Sequence, residues 1–269
     1  MTRYKSIFPK AKNIIGMIHV RALPGTPKYS NDVRGIIGKA LEEAEIYVNA
    51  GIDALAIENM HDVPYIKNNI GHEVSSLMAI IGYEIKQKFD IPCGIQILSS
   101  ANEAAMAAAH SSGMDFIRAE GFVYGHLADE GYIDSCAGDL LRYRKQIGAD
   151  SIAVFTDIKK KHSAHTLTAD VSLEETAKTA EYFLSDGLIV TGSSTGEEAS
   201  LEELETVKNA CSIPTIVGSG VTIDNLESYM NVSDALIVGS WFKHDGHWAN
   251  ELGKNRIESF MKKVNELRG

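Results

Sequence analysis

The sequence predicts a single (β/α)8 barrel, a TIM barrel, with residues 1–269 forming one domain. Three observations carry this prediction. Eight short apolar runs alternate with eight longer amphipathic stretches. The units recur at roughly 30-residue spacing, as βα units do. The length of 269 residues is close to the about 250 that such a barrel uses as one domain.

Residues 14–19 read as the first strand and 33–49 as the first helix. In that helix Ile36, Ile37, Ala40, Leu41, Ala44 and Val48 recur at i, i+3, i+4 spacing. The second unit is 54–58 with 72–89, the third 93–98 with 101–111, and the fourth 116–120 with 139–146. The fifth is 152–157 with 173–184, the sixth 187–191 with 201–210, the seventh 215–218 with 224–230, and the last 235–239 with 251–267. Ser172 with Glu175, and Ser200 with Glu203, fit capping boxes at two helix starts. Gly51 and Gly113 suit helix C-caps. Pro92 and Pro214 open strands, where a missing N–H costs little. Strict alternation implies parallel strands with helical crossovers. An open doubly wound sheet shares that alternation, but eight regular units fit a closed barrel better.

Composition narrows the function classes. The formal charge of −10 argues against a general nucleic-acid or anionic-membrane binder. Cys93, Cys136 and Cys211 show no CxxC spacing, which suggests reduced thiols in a cytoplasmic protein. The basic first 12 residues lack the apolar stretch of a secretory signal. No apolar run is long enough for a membrane span. A homo-oligomer is expected by analogy with similar barrels.

The loops after the last two strands point to a bound anion. Strand seven runs into Val217-Gly218-Ser219-Gly220-Val221-Thr222, and strand eight into Val238-Gly239-Ser240-Trp241. Small residues let backbone N–H groups approach a ligand, and a helix N-terminus just beyond adds partial positive charge. Phosphate held after strands seven and eight is a recurrent barrel arrangement. The pattern resembles the phosphate-binding end of the ribulose-phosphate-binding barrels. Glycines that only permit tight turns are the blander alternative. Gly192, Ser219, Gly220, Val221, Gly239 and Ser240 are the candidate phosphate contacts. The loop 191–196 either closes over ligand or is a polar turn.

Period-two alternation sorts the strand residues by face. Phe155, Asp157 and Lys159 share one face, as do Arg118 and Glu120, Ala56 and Glu58, and Met17 and His19. The charged members fall at C-terminal strand ends, which a barrel gathers around one mouth. Glu58, Glu120, Asp157, Lys159 and Arg118 are therefore the candidate catalytic groups, with a structural ion-pair network as the alternative. His19, His61, His162 and His165 could contact substrate or ligate a divalent metal. No HxH or HExxH spacing supports a metal, and no other cofactor is predicted. Lys159 could form a Schiff base in a dry pocket, although a phosphate or carboxylate contact is the plainer role.

A family resemblance rests on longer motifs. The segment 16–27, GMIHVRALPGTP, resembles the opening motif of the BtpA family, which includes the SgcQ-type proteins. So do Glu58-Asn59, the run 118–122 (RAEGF), the run 157–163 (DIKKKHS), Val190-Thr191-Gly192, and the glycine motifs of the last two strands. The resemblance covers nearly the whole chain. It implies a phosphate-binding barrel. The family's namesake is associated with photosystem I biogenesis, while SgcQ-type members accompany sugar-phosphate metabolism genes. No motif here marks a membrane anchor or a chlorophyll-protein partner.

Two functions follow as expectations. The first is an enzyme acting on a sugar phosphate or similar metabolite by isomerase, epimerase or aldolase-type chemistry. Its partner is a phosphorylated small molecule, and the carboxylates serve as acid and base. The second is a non-catalytic assembly or regulatory factor that uses surface loops such as 122–133.

Overall fold

The computed structural model describes residues 2–192 and 194–269. In chain order its elements are α1 (Arg3–Ile7), β1 (Asn13–His19), α2 (Val33–Asn49), β2 (Ala54–Glu58), α3 (His72–Lys88), β3 (Cys93–Gln96), α4 (Asn102–Ser112) and β4 (Phe116–Ala119). There follow β5 (His126–Ala128), β6 (Gly131–Ile133), α5 (Ala137–Gln146), β7 (Ala153–Asp157), β8 (Ser163–Ala164), α6 (Leu173–Tyr182), β9 (Gly187–Val190), α7 (Leu201–Ala210), β10 (Thr215–Val217), α8 (Leu226–Val232), β11 (Ala235–Val238) and α9 (Lys254–Arg268). The strands β1, β2, β3, β4, β7, β9, β10 and β11 pair in parallel and close into a barrel, with β1 sealing the seam between β2 and β11. The eight strands are the ones read from the sequence. Their ends move by at most two residues.

Alternation builds the interior. Ile15, Met17, Ala54, Ala56, Phe116, Phe155, Ile189 and Ile237 point inward and form one buried cluster. The opposite faces pack on the helices in a second, larger cluster. Large and small residues interlock: a Cβ on Gly94 would sit 2.0 Å from Phe116 Cε2, so β3 must be bare where the β4 ring crosses. The serine half of each expected capping box forms. Ser172 Oγ accepts from Glu175 N at 3.0 Å and Ser200 Oγ from Glu203 N at 3.4 Å. Gly113 ends α4 at φ +73°.

Two features were not anticipated. The first is α1, whose basic sequence hid a plug for the barrel floor. Tyr4 and Phe8 are buried, and their rings meet Phe155 and Phe116, each pair at 5.9 Å. The second is a small antiparallel sheet in the order β6-β5-β8. It joins the loop after β4 to the loop after β7, through Leu127↔Ala164 and Ala128↔Ser163. The periodicity of three-residue strands is too short to read. No helix among the described residues is long and apolar enough to cross a membrane.

Candidate active site

The top layer of the interior, where the inward faces of the strands end, is polar. Met17, His19, Glu58, Arg118, Lys161 and the loops after β9, β10 and β11 enclose a cavity of about 100 Å³. That is well under the roughly 300–1,000 Å³ typical of sites for drug-sized ligands. The space suits a short metabolite better than a dinucleotide.

One wall of this cavity is backbone. The N–H groups of Gly220, Val221, Ser240 and Trp241 have no acceptor among the described residues. The residues bearing them line the cavity. Asn225 holds the first of these loops in shape. Its Oδ1 accepts from Thr222 N at 2.8 Å, and its Nδ2 donates to Gly220 O at 2.9 Å and Glu198 Oε1 at 3.0 Å. Gly220 has φ +68°, and a Cβ there would lie 2.1 Å from Glu197 O. No other residue fits this position. After β11 the expected helix N-terminus is a single 3-10 turn, Ser240–Phe242. Gly192 and Ser219 are placed differently from the other candidates. Ser219 Oγ accepts from Gly192 N at 2.9 Å and donates to Glu197 O at 3.2 Å. They pin the β9 loop to the β10 loop, and the Gly192 N–H is already committed. Thr195 and Gly196 of the β9 loop line the cavity, whereas Ser193 of the same loop lies outside the described residues.

The opposite wall carries the charges. Arg118 on β4 donates from Nε to Asp157 Oδ2 at 2.8 Å and from Nη2 to Oδ1 at 2.7 Å. Both side chains are almost wholly buried. Burial opposes the guanidinium charge, but Asp157 holds its pKa above the ordinary value. The fork leaves Nη1 near Gly218 O at 3.5 Å. Glu58 on β2 is buried, and among the described residues its carboxylate accepts no hydrogen bond. His19 Nε2 lies 4.0 Å from Glu58 Oε2. Burial pushes the Glu58 pKa up, opposed by Arg118 and then Lys161. His19 Nδ1 lies 3.0 Å from Trp248 O. A carbonyl only accepts, so Nδ1 carries the proton and Nε2 presents its lone pair to the cavity. Burial, then Lys243, lowers the His19 pKa to about 3, so the ring is neutral.

The remaining predicted residues separate. Glu120 is saturated: it accepts from Gln96 Nε2 at 3.1 Å and Ser100 N at 3.0 Å, and pairs with Lys160 at 3.4 Å. It braces the mouth from outside the cavity lining. Lys159 does not follow the Phe155–Asp157 face. The strand ends at Asp157, Lys159 takes φ +47°, and its Nζ donates to Val171 O at 2.9 Å. The period of two stops where β7 stops, at Asp157. Lys161 is the lysine that lines the cavity. Among the described residues its Nζ makes no hydrogen bond or ion pair, and burial followed by Arg118 holds its pKa below the lysine range. His61 lines an adjoining pocket, its ring tilted against Trp248 with centroids 4.9 Å apart. His162 Nε2 accepts from Thr195 N at 3.1 Å, and His165 Nε2 bonds Lys160 O at 3.0 Å. The four histidines do not converge. Among the described residues no group of three or more His, Cys, Asp or Glu could hold a metal ion. Asn225, Trp248 and Lys161 were missed. Only Lys161 left a trace, as one of three adjacent lysines.

Comparison with known proteins gives the same architecture and places the chain among relatives. The family model described as the BtpA family matches residues 10–266. An uncharacterised mitochondrial protein of Caenorhabditis elegans, F13E9.13, is 50% identical over 260 residues, covering 95% of this chain and 94% of its own. The photosystem I biogenesis protein BtpA of Synechocystis is 30% identical over 254 residues, covering 94% and 88%. Among solved structures, thiamine phosphate pyrophosphorylase from Pyrococcus furiosus superposes with TM-score 0.58 at 16% identity, covering 96% and 98%. Phosphoribosyl anthranilate isomerase from Thermus thermophilus gives 0.58 at 11%, covering 95% and 99%. At these identities the likeness to solved structures is one of fold.

Proposed function

The chain belongs to the BtpA family, and from that premise we propose that it is an enzyme that binds a short phosphorylated carbonyl compound and moves a proton beside the carbonyl. This is the chemistry of an isomerase, an epimerase or an aldolase-type lyase. One observation carries the reading. Amides without an acceptor among the described residues, from two consecutive loops, and a buried carboxylate that accepts no hydrogen bond there, Glu58, belong to residues lining one small cavity. Four free amides at one cavity suit a phosphoryl group. A carboxylate with a raised pKa suits a proton carrier, because efficiency peaks when the pKa nears the working pH. His19 Nε2 accepts a hydrogen bond from a substrate hydroxyl. Arg118, locked by Asp157, supplies fixed positive charge near the carbonyl oxygen.

The test is proton exchange. Dihydroxyacetone phosphate and ribulose 5-phosphate are incubated with the protein in deuterated water, and loss of the C–H signal beside the carbonyl is followed by NMR. Exchange is expected with the wild type and about 100-fold or more slower in Glu58→Gln. Thermal shift with the same compounds and with inorganic phosphate reads binding separately. If nothing phosphorylated stabilises the protein, the reading fails.

The Synechocystis relative's name supports a second reading, a non-catalytic assembly factor. The small sheet exposes Leu127 and Tyr132 at the mouth, a surface a protein partner could cover. That reading predicts phosphate binding without exchange, and loss of partner capture in Leu127→Asp.

A further inference from the structure

The three lysines after β7 have three different fates. Lys159 Nζ donates to the Val171 carbonyl. Lys160 Nζ is buried between Glu120 at 3.4 Å and Glu130 at 3.9 Å. Lys161 has no carboxylate within ion-pair distance and lines the cavity with Glu58 and the amide loops. Burial first and the Arg118 guanidinium second disfavour its charge, the Glu58, Asp157 and Glu120 carboxylates oppose them, and the net direction is below the lysine range.

We infer that Lys161 is a covalent nucleophile that forms an imine with a phosphorylated aldehyde or ketone seated on the Gly220–Val221 and Ser240–Trp241 amides. This rests on the phosphate-binding reading above and names its substrate class. The neutral Nζ attacks the carbonyl carbon, and the C=O π pair moves to oxygen. The amine loses a proton and the oxygen gains one, giving the carbinolamine. The Glu58 carboxylic acid protonates the hydroxyl, which leaves as water, and the nitrogen lone pair forms the C=N bond. The protonated imine then draws electrons from the neighbouring C–H bond, and the Glu58 carboxylate takes the proton. Reprotonation of the enamine and addition of water return free amine and carbonyl compound. Each step needs only water and the two side chains. Glu58 suits the relay because it is buried in the same cavity and no hydrogen bond fixes its proton.

Borohydride trapping tests the assignment. The protein is incubated with dihydroxyacetone phosphate or glyceraldehyde 3-phosphate, reduced, digested and mapped by mass spectrometry. Lys161 is expected to gain the mass of the ligand less one oxygen, and excess inorganic phosphate is expected to suppress the adduct. Unphosphorylated dihydroxyacetone is expected to give none. Lys161→Arg places a permanent charge at this position and Lys161→Met keeps the length without the amine. Both are expected to lose the adduct, and Lys161→Met to keep the wild-type Tm in the absence of ligand. An adduct confined to other lysines overturns the inference. So does no adduct from compounds that stabilise the protein or undergo Glu58-dependent exchange, and that outcome leaves the phosphate reading intact. If no phosphorylated compound binds at all, the phosphate reading itself falls, and this inference with it.

Discussion

Arg118 and Asp157 share two short hydrogen bonds out of reach of water, which makes the pair sensitive to losing one member. Removing one partner strands the other charge in the interior, at a cost of about 3–5 kcal/mol. Asp157→Ala should therefore lower the urea-derived unfolding free energy by about that amount, and Arg118→Met with Asp157→Leu should recover most of the loss. A single variant within 1 kcal/mol of wild type would mean that the pair is solvated. His19 gives a pH signature. Its folded pKa of about 3 lies below the unfolded value of about 6.5. Its contribution is therefore full above about pH 6.5 and is lost as pH falls, at about 1.4 kcal/mol per pH unit. His19→Asn replaces the Nδ1–H donor with an amide and does not titrate. Between pH 7 and 5 the wild type should lose about 2 kcal/mol more than this variant, measured by denaturant titration at both values. Equal losses would show that His19 is charged in the fold. These residues were legible in the sequence because each sits on a strand, where the side-chain period is two. Lys159 and Lys161 were not, because they follow the last strand residue, where a backbone turn at positive φ breaks the period.

Loops set the ligand-binding geometry, and their precision comes from side chains that a motif does not contain. The glycines of the β10 and β11 loops announced a tight backbone. Nothing in the local sequence announced that Asn225, five residues after Gly220, makes three hydrogen bonds that hold the loop. Asn225→Ala should free the Gly220 carbonyl and the Thr222 N–H and weaken inorganic phosphate binding about tenfold. That corresponds to about 1.4 kcal/mol, read by isothermal titration with the fold checked by circular dichroism. Gly220→Ala should abolish binding, since its Cβ would overlap the Glu197 carbonyl. Unchanged affinity in both would show that the anion sits elsewhere. The small β6-β5-β8 sheet works at the same scale. By pairing with Ser163 and Ala164 it holds the far end of the segment that carries Lys160 and Lys161. Its strands are too short for a periodic signal, and the pairing joins residues some 35 positions apart. It became visible only once the barrel brought the two loops together.

Across the whole molecule, the barrel separates the end that stabilises from the end that binds. The eight strand–helix units were readable because each carries its own period and its own caps. The closure of the floor was not, because α1 is five residues long and too short for helical periodicity to show. Tyr4 and Phe8 fill the N-terminal opening and meet Phe155 and Phe116 at edge-on and tilted angles, below the Met17 and Ala56 layer that underlies the polar mouth. Phe8 is 3% exposed, so its truncation removes a large buried ring and leaves a cavity among Tyr4, Phe116 and Phe155. Phe8→Ala should cost about 3–5 kcal/mol of stability. Residues at the opposite face of a barrel act on stability rather than on binding. The same variant, assayed below its transition, should therefore bind phosphate and form the Lys161 adduct as the wild type does. A stability loss that carried a parallel loss of phosphate affinity would show that the two ends are coupled through the barrel interior. Phe116 and Phe155 are the residues through which that coupling would pass, because Phe155 shares β7 with Asp157 and Phe116 shares β4 with Arg118.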